Sequence, residues 1–348
     1  MSLQVRNLSK HWQQTKAVDQ IDFAVDKGEF VALLGPSGCG KSTTLKMIAG
    51  LESPTNGQIL LDGQDITRLP PGKRRLSMVF QSYALFPHLS VRENILFGLK
   101  ARRVPPEEQR RRLEHVADLV DLGNHLEKKP SQLSGGQCQR VALARAIVAQ
   151  ASLCLMDEPL SNLDAKLRHE MRAEIRSLQQ RLGMTVLYVT HDQVEAMSMA
   201  DRILLIHEGK LVQSGSPEQL YGTPASTFVA RFIGNPPMNL LRTENGFLGV
   251  RPEHVRCAPD GMQANVVRCD YHGADTIIDA TLPAYGMQVI RLRVAGHQIL
   301  PAHHALTLRW QPEHEHHFCA RSGARLQATV SPVFHTTLTK ETNHVANR

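Results

Sequence analysis

No run of apolar residues in this 348-residue chain approaches the roughly 18 to 20 that a membrane-spanning helix needs. The best candidate, "VALARAIVA", is short and carries Arg145 inside it. The opening "MSLQVRNLSKHW" contains no apolar signal segment. If the chain serves a membrane process, other chains do the spanning. Cysteine is sparse: Cys39, Cys138, Cys154, Cys257, Cys269 and Cys319 are scattered without C-x-x-C spacing. That disfavours a disulfide framework or zinc and predicts reduced thiols in a cytoplasmic compartment. Neither charge sign is scarce, and the formal net charge is +7. Such a balance suits nucleic acid, anionic lipid or an anionic substrate and selects none of them. The runs Lys73-Arg74-Arg75 and Arg110-Arg111-Arg112 read as solvated faces.

What the sequence does contain is the texture of a globular protein with more than one domain, 42% hydrophobic and 21% charged. Short apolar runs, "FVALLG" (30–35), "LSMVFQ" (76–81), "LCLMDE" (153–158) and "VLYVTH" (186–191), end abruptly in polar residues or glycine. Runs this apolar predict strands buried on both faces of a parallel sheet. Helical patterns alternate with them. Leu163, Leu167, Met171, Ile175, Leu178 and Leu182 keep helical spacing, and Gly183 follows where a C-cap belongs. Another helix, near 106–122, uses Leu113, Val116, Ala117 and Val120 and stops at Gly123. The alternation predicts an α/β domain, whose ligands collect at the carboxyl ends of strands. Those ends carry Gly35, Gln81, Asp157-Glu158 and His191, so four strands deliver polar groups to one edge. After "FIGNPPMNLL" (232–241), alternating runs such as "TIIDATL", "QVIRLRV" and "ALTLRW" predict a small β-domain, and the last segment reads as a loose tail.

"GPSGCGKS" (35–42) satisfies G-x-x-x-x-G-K-[ST] between a strand and a helix. Its glycines let backbone N–H groups wrap phosphates, and the helix N-terminus adds a favourable dipole. Lys41 would reach the β- and γ-phosphates, and the Ser42 hydroxyl would bind Mg²⁺. The same dipole predicts a thiolate-prone Cys39. In "LCLMDEP", Asp157 fits an Mg²⁺-binding role and Glu158 can polarise an attacking water. Two adjacent acids also suit a helix N-cap ahead of "SNLDAKL". His191 alone reads as an ordinary strand-end histidine. A second glycine stretch, Ser134-Gly135-Gly136-Gln137, runs into a helix with Val141, Ala144, Ile147 and Val148 on one face. It presents a hydroxyl and N–H groups to an anion, on its own chain or on another.

"GPSGCGKST", "LSGGQ", "LMDEP", "SNLD" and "VTHD" stand in the order and spacing of ATP-binding cassette ATPases, and the chain resembles that family over about residues 3–235. The resemblance implies an α/β P-loop NTPase cassette with a helical signature subdomain (1–235). A small all-β, OB-like regulatory domain (236–330) and a flexible tail (331–348) would follow it. It implies ATP held by Trp12, stacked on adenine, and by Gly35, Pro36, Ser37, Gly38, Cys39, Gly40, Lys41, Ser42 and Thr43. Two cassettes would dimerise head to tail, so that Ser134, Gly135, Gly136 and Gln137 serve the partner's ATP. Glu158 would be the catalytic base, His191 the γ-phosphate switch and Asp164 the link between sites. Gln81 would sense both Mg²⁺, held with Ser42 and Asp157, and the permease, with "SYALFPHL" docking on permease coupling helices. Cys138 departs from the basic or polar residue usual after "LSGGQ", next to the γ-phosphate donors.

The downstream segments "FIGNPPMNLL", "GVRPEH" and "HGADTIIDATL" resemble the regulatory domain of importers for maltose, sn-glycerol-3-phosphate and related solutes. "GADT" and "RPEH" lean toward sn-glycerol-3-phosphate. The implied partners are a second copy, two transmembrane permease subunits and an extracytoplasmic solute-binding protein, with the chain peripheral on the cytoplasmic face of the inner membrane. A nucleic-acid or ribosome ATPase would show two cassettes or a long insertion. A P-loop kinase would leave "LSGGQ" unexplained. Tyr271, Tyr285, Trp310 and Phe318 are too few and dispersed for a nucleic-acid stacking face. "HEHHF" (314–318) reads as a solvated histidine cluster rather than a metal site.

Overall fold

The apolar runs become the central strands of a layered α/β unit. The computed structural model describes residues 2–326, so the expected tail at 331–348 lies outside the described residues. Contacts divide the chain between Pro237 and Met238. In the first unit the strands are β1 (Leu3–Trp12), β2 (Thr15–Val25), β3 (Phe30–Leu34), β4 (Asn56–Leu61), β5 (Gln64–Asp65), β6 (Ser77–Val79), β7 (Cys154–Asp157), β8 (Val186–Thr190), β9 (Arg202–His207) and β10 (Lys210–Gly215). One sheet is antiparallel, in the order β2-β1-β4-β5. The other runs β10-β9-β3-β8-β7-β6 and is parallel except at β10.

Every residue of β3 and β8 is buried. Successive side chains point to opposite faces, so Ala32, Leu34 and Tyr188 join one core while Val31, Leu33, Leu187 and Val189 join another. A sheet covered on both sides has no use for polar alternation. The parallel order brings the carboxyl ends of β6, β7, β8 and β3 to one edge.

The helices that matter here are α1 (Lys41–Ala49), α2 (Val91–Ala101), α3 (Pro106–Leu119), α4 (Gly135–Val148) and α5 (Ala165–Leu182). Helices α2, α3 and α4 pack on one another as a helical layer. The apolar pattern of α3 continues past its end: Val120 and Leu122 are buried in the turn beyond Leu119, where Asp121 takes φ 52°. Helix α5 ends on Gly183 at φ 59°, a left-handed C-cap. Leu163, counted with the α5 pattern, lies before the helix and is buried there.

Two expectations are corrected. Helix α4 is not one-faced: Ala142, Leu143 and Ala146 are as buried as Val141, Ala144, Ile147 and Val148, because sheet and helices enclose it. Nor is the 73–75 run simply a solvated face. Arg74 is 3% exposed, and its guanidinium donates to the carbonyls of Met47 (2.6 Å) and Ile48 (2.8 Å) at the end of α1. A cation there satisfies carbonyls the helix leaves open.

The second unit is all-β, of OB-like type: β11 (Asn239–Thr243), β12 (Gly246–Val250), β13 (Arg256–Tyr271), β14 (Asp275–Leu282), β15 (Gln288–Ala295), β16 (Ala305–Arg309) and β17 (His316–Cys319). They form sheets in the orders β11-β12-β17 and β15-β14-β13-β16 around Leu241, Val250, Ile278, Leu292 and Trp310. Trp310 and Phe318 are buried. The histidine segment is not simply solvated. His316 is buried, and His314 stacks on His254 with centroids 3.7 Å apart. Among the described residues no cluster of three or more His, Cys, Asp or Glu is placed to hold a metal ion.

Candidate functional site

Residues 35–40 turn the chain from β3 into α1 against backbone that tolerates no side chain. A Cβ on Gly35 would lie 2.1 Å from the Ile206 carbonyl oxygen, and one on Gly40 would lie 2.3 Å from that of Ala17. Gly40 also sits at φ 102°, a conformation open to glycine. Pro36 lies in this turn; Ser37 and Gly38 form its exposed tip, and Thr43 belongs to the first turn of α1. Lys41 is buried, and its Nζ donates to the carbonyls of Gly35 (2.9 Å) and Pro36 (2.8 Å).

Cys39 does not favour a thiolate. It is 6% exposed, and burial raises its pKa above the ordinary thiol value although Lys41, 3.9 Å away, works the other way. Desolvation outweighs the helix dipole and the neighbouring ammonium.

The strand ends supply the chemistry. Ser42 Oγ donates to Asp157 Oδ1 at 2.9 Å. Burial raises the Asp157 pKa, the Ser42 bond opposes this, and the charge of Glu158 adds to it. Glu158 holds φ 43° while its N–H donates to the Val189 carbonyl at 3.0 Å, fixing the residue across the end of β8. Neither acid caps a helix. Asp164 is the N-cap of α5, accepting from the Leu167 N–H at 2.9 Å. His191 Nδ1 lies 3.0 Å from Glu158 Oε2, with the imidazole half-exposed. Glu195 is buried and accepts from Tyr188 Oη (2.9 Å) and Thr190 Oγ1 (2.6 Å), which anchors the end of β8 beneath His191.

Gln81, beyond β6, is exposed, and its carbonyl accepts from Asn162 Nδ2 at 3.0 Å. Trp12 ends β1 and is 47% exposed, more open than the half-buried packing its residue type alone suggests. The second glycine stretch begins α4. Gln137 N–H donates to Ser134 Oγ at 3.3 Å and Ser134 N–H to Gln137 Oε1 at 2.9 Å, a capping box. Gly135 is exposed, whereas a Cβ on Gly136 would meet the Leu167 methyls at 3.0 and 3.1 Å. Among the described residues no hydrogen bond joins 134–137 to 35–43. The Cys138 thiol, partly buried, lies 3.8 Å from the Pro130 carbonyl.

Two residues that motif reading passed over hold the Gln81 loop: Asn162, and Arg145, whose Nη1 and Nη2 each donate at 2.7 Å to the carbonyls of Ala84 and Tyr83. For Arg145 a signal was present, a charge inside the apolar run that follows Arg140 in α4.

A phosphate cradle, paired acids and a histidine on adjacent parallel strands define the class: a nucleotide-hydrolysing ATPase carrying an additional β unit. The profile described as "ABC transporter" matches residues 18–161, and that of the TOBE domain matches 248–318. The sn-glycerol-3-phosphate import ATP-binding protein UgpC of Ruegeria sp. is 43% identical over 93% of this chain and 99% of its own. The trehalose/maltose import ATP-binding protein MalK of Thermococcus litoralis is 48% identical over 84% of this chain and 81% of its own. The structure titled "Dimeric Structure of MJ0796, a Bacterial ABC Transporter Cassette" superposes with a TM-score of 0.55 at 31% identity, covering 62% of this chain and 98% of that one. The chain belongs to the ATP-binding cassette transporter family, among its carbohydrate-type import ATPases.

Proposed function

We propose that this chain hydrolyses ATP to drive import of sn-glycerol-3-phosphate. It would work as a head-to-tail dimer, peripheral on the cytoplasmic face of the membrane, beneath two permease subunits fed by an extracytoplasmic binding protein. The observation that carries the hydrolytic part is the convergence of Ser42–Asp157 and Glu158–His191 at one sheet edge.

Residues 35–43 hold the phosphates. Lys41, now bonded to carbonyls of its own loop, exchanges them for phosphate oxygens, and Trp12 offers an open aromatic face to the base. The donor set fits Mg²⁺: Ser42 and Asp157 are already together, Gln81 on the loop after β6 is exposed, and a divalent cation relieves the burial penalty on Asp157. When bound, the cation supplies charge neutralisation on the phosphates. Glu158 takes the proton from water. His191 holds that carboxylate through Nδ1, which leaves its Nε2 as the ring nitrogen to meet phosphate. Ser134, Gly135, Gly136 and Gln137 serve the partner's ATP, with Asp164 between the two sites; that the similar MJ0796 cassette is dimeric in its solved structures supports the pairing of two chains.

The solute assignment is supported by relatives that align end to end, β unit included, and carry the sn-glycerol-3-phosphate name. The maltose-type relative aligns over less of its length. The test is ATPase activity of the complex purified through this chain, with its permease and binding protein, in vesicles. Stimulation by sn-glycerol-3-phosphate and none by maltose is expected; the reverse rejects the assignment.

A further inference from the structure

The loop after β6 is held by its carbonyls. Tyr83 (φ 61°) and Ala84 (φ 48°) are consecutive non-glycine residues in the left-handed region, a conformation L side chains disfavour. Something outside the loop must pin it. From α4, Arg145 donates Nη2 to the Tyr83 carbonyl and Nη1 to the Ala84 carbonyl, both at 2.7 Å. From the turn before α5, Asn162 holds the Gln81 carbonyl at 3.0 Å. Partial burial disfavours the charge of the Arg145 guanidinium. A partly buried cation whose hydrogen bonds go to two carbonyls of a strained loop is costly as packing and informative as a clamp.

We propose that Arg145 is a positioning residue: it ties the helix that begins with Ser134 to the loop that carries Gln81, so that helix and loop move as one body. Arg145 lies about three turns along α4 from Ser134, so a shift of the signature end is transmitted through rigid helix to the carbonyls of 83 and 84. The two elements the partner and the permease would engage are thereby coupled. This rests on the proposed role of Gln81.

Tyr83 and Leu85 also pack their side chains on the core, so a purely structural role for Arg145 makes a different prediction. The purified full chain is compared with Arg145→Met by hydrogen–deuterium exchange and by steady-state ATPase kinetics. Exchange in the 81–85 segment is expected to rise about tenfold while β3 and β8 stay protected, and kcat to fall about tenfold at nearly constant KM. Adding Ala84→Gly, which adopts the left-handed conformation without strain, is expected to recover about fivefold in kcat. Arg145→Lys, keeping the charge without the two-pronged geometry, serves the same comparison if the methionine variant does not fold. Unchanged exchange at 81–85 overturns the proposal, and so does acceleration spread evenly over the unit with no recovery from Ala84→Gly. Gln81→Ala is the separate control. Normal turnover in that variant overturns the Gln81 reading, while loop exchange still decides whether Arg145 is the clamp.

Discussion

His191 Nδ1 stands 3.0 Å from Glu158 Oε2, joining the ends of two neighbouring parallel strands through their side chains. The carboxylate that would take a proton from water is thus oriented by the ring that would meet phosphate. Glu158→Gln keeps the shape and removes the proposed base. Hydrolysis is expected to drop at least about a hundredfold, with ATP affinity nearly unchanged. Because the two residues act as a unit, adding His191→Ala to Glu158→Gln costs little more than Glu158→Gln alone. Single-turnover hydrolysis and equilibrium nucleotide binding measure both. Fully additive losses contradict the pairing.

Cys39 tests the cradle through a native thiol. Its pKa is raised by burial, whereas that of Cys319 is lowered to about 7 by hydrogen bonds from Ser322. Alkylation read by mass spectrometry is expected to mark Cys319 first at pH 7. Labelling of Cys39 is slower and accelerates as pH climbs, since the thiolate is the nucleophile. Mg-ATP should protect Cys39 and leave Cys319 unaffected. Equal protection of both contradicts a local cradle.

The second unit carries a pH liability. Burial foremost, with Arg325, Arg251 and neighbouring histidines, lowers the His316 pKa to about 4, and burial also lowers that of His254. A folded pKa below the unfolded value of about 6.5 means that the unfolded chain binds the proton first. Stability is therefore full above about 6.5 and is lost as pH falls toward 4, by at most ~3 kcal/mol from His316. Denaturant midpoints of the second unit across this window are expected to fall, and His316→Gln to flatten the slope. An unchanged slope removes His316 as the cause.

Much of this was legible in the residues. Buried parallel strands announce themselves as unbroken apolar runs, so β3, β7 and β8 and the polar groups at their ends could be read directly. The glycine cradle was legible because close backbone approach admits nothing larger. Arg74 and His316 were not, because composition treats charge and imidazole as solvent-facing; Arg145 stood out inside its apolar run, but the loop it holds did not. Only the tertiary structure shows that Arg74 closes the end of α1 and Arg145 grips a loop. Cys39 misled for a related reason: a helix N-terminus favours a thiolate only where water is near enough to solvate it, and here burial wins.

The central claim is that the two glycine stretches work on one nucleotide from two chains. One chain carries Lys41→Ala, which weakens its own cradle. Another carries Gly135→Asp, a negative charge at the exposed start of α4, where an added Cβ meets only Leu163 at an ordinary 3.5 Å; Gly136→Asp would also press on Leu167. Each homodimer should fail to close on ATP. In verified mixed dimers, the Lys41→Ala chain still offers an intact Ser134–Gln137 turn to its partner's intact cradle, so one sound site is rebuilt. An inter-chain fluorescence distance is expected to shorten on adding ATP to the mixture and in neither homodimer. If the distance in mixed dimers does not change, each stretch serves its own chain and the between-chain account is wrong.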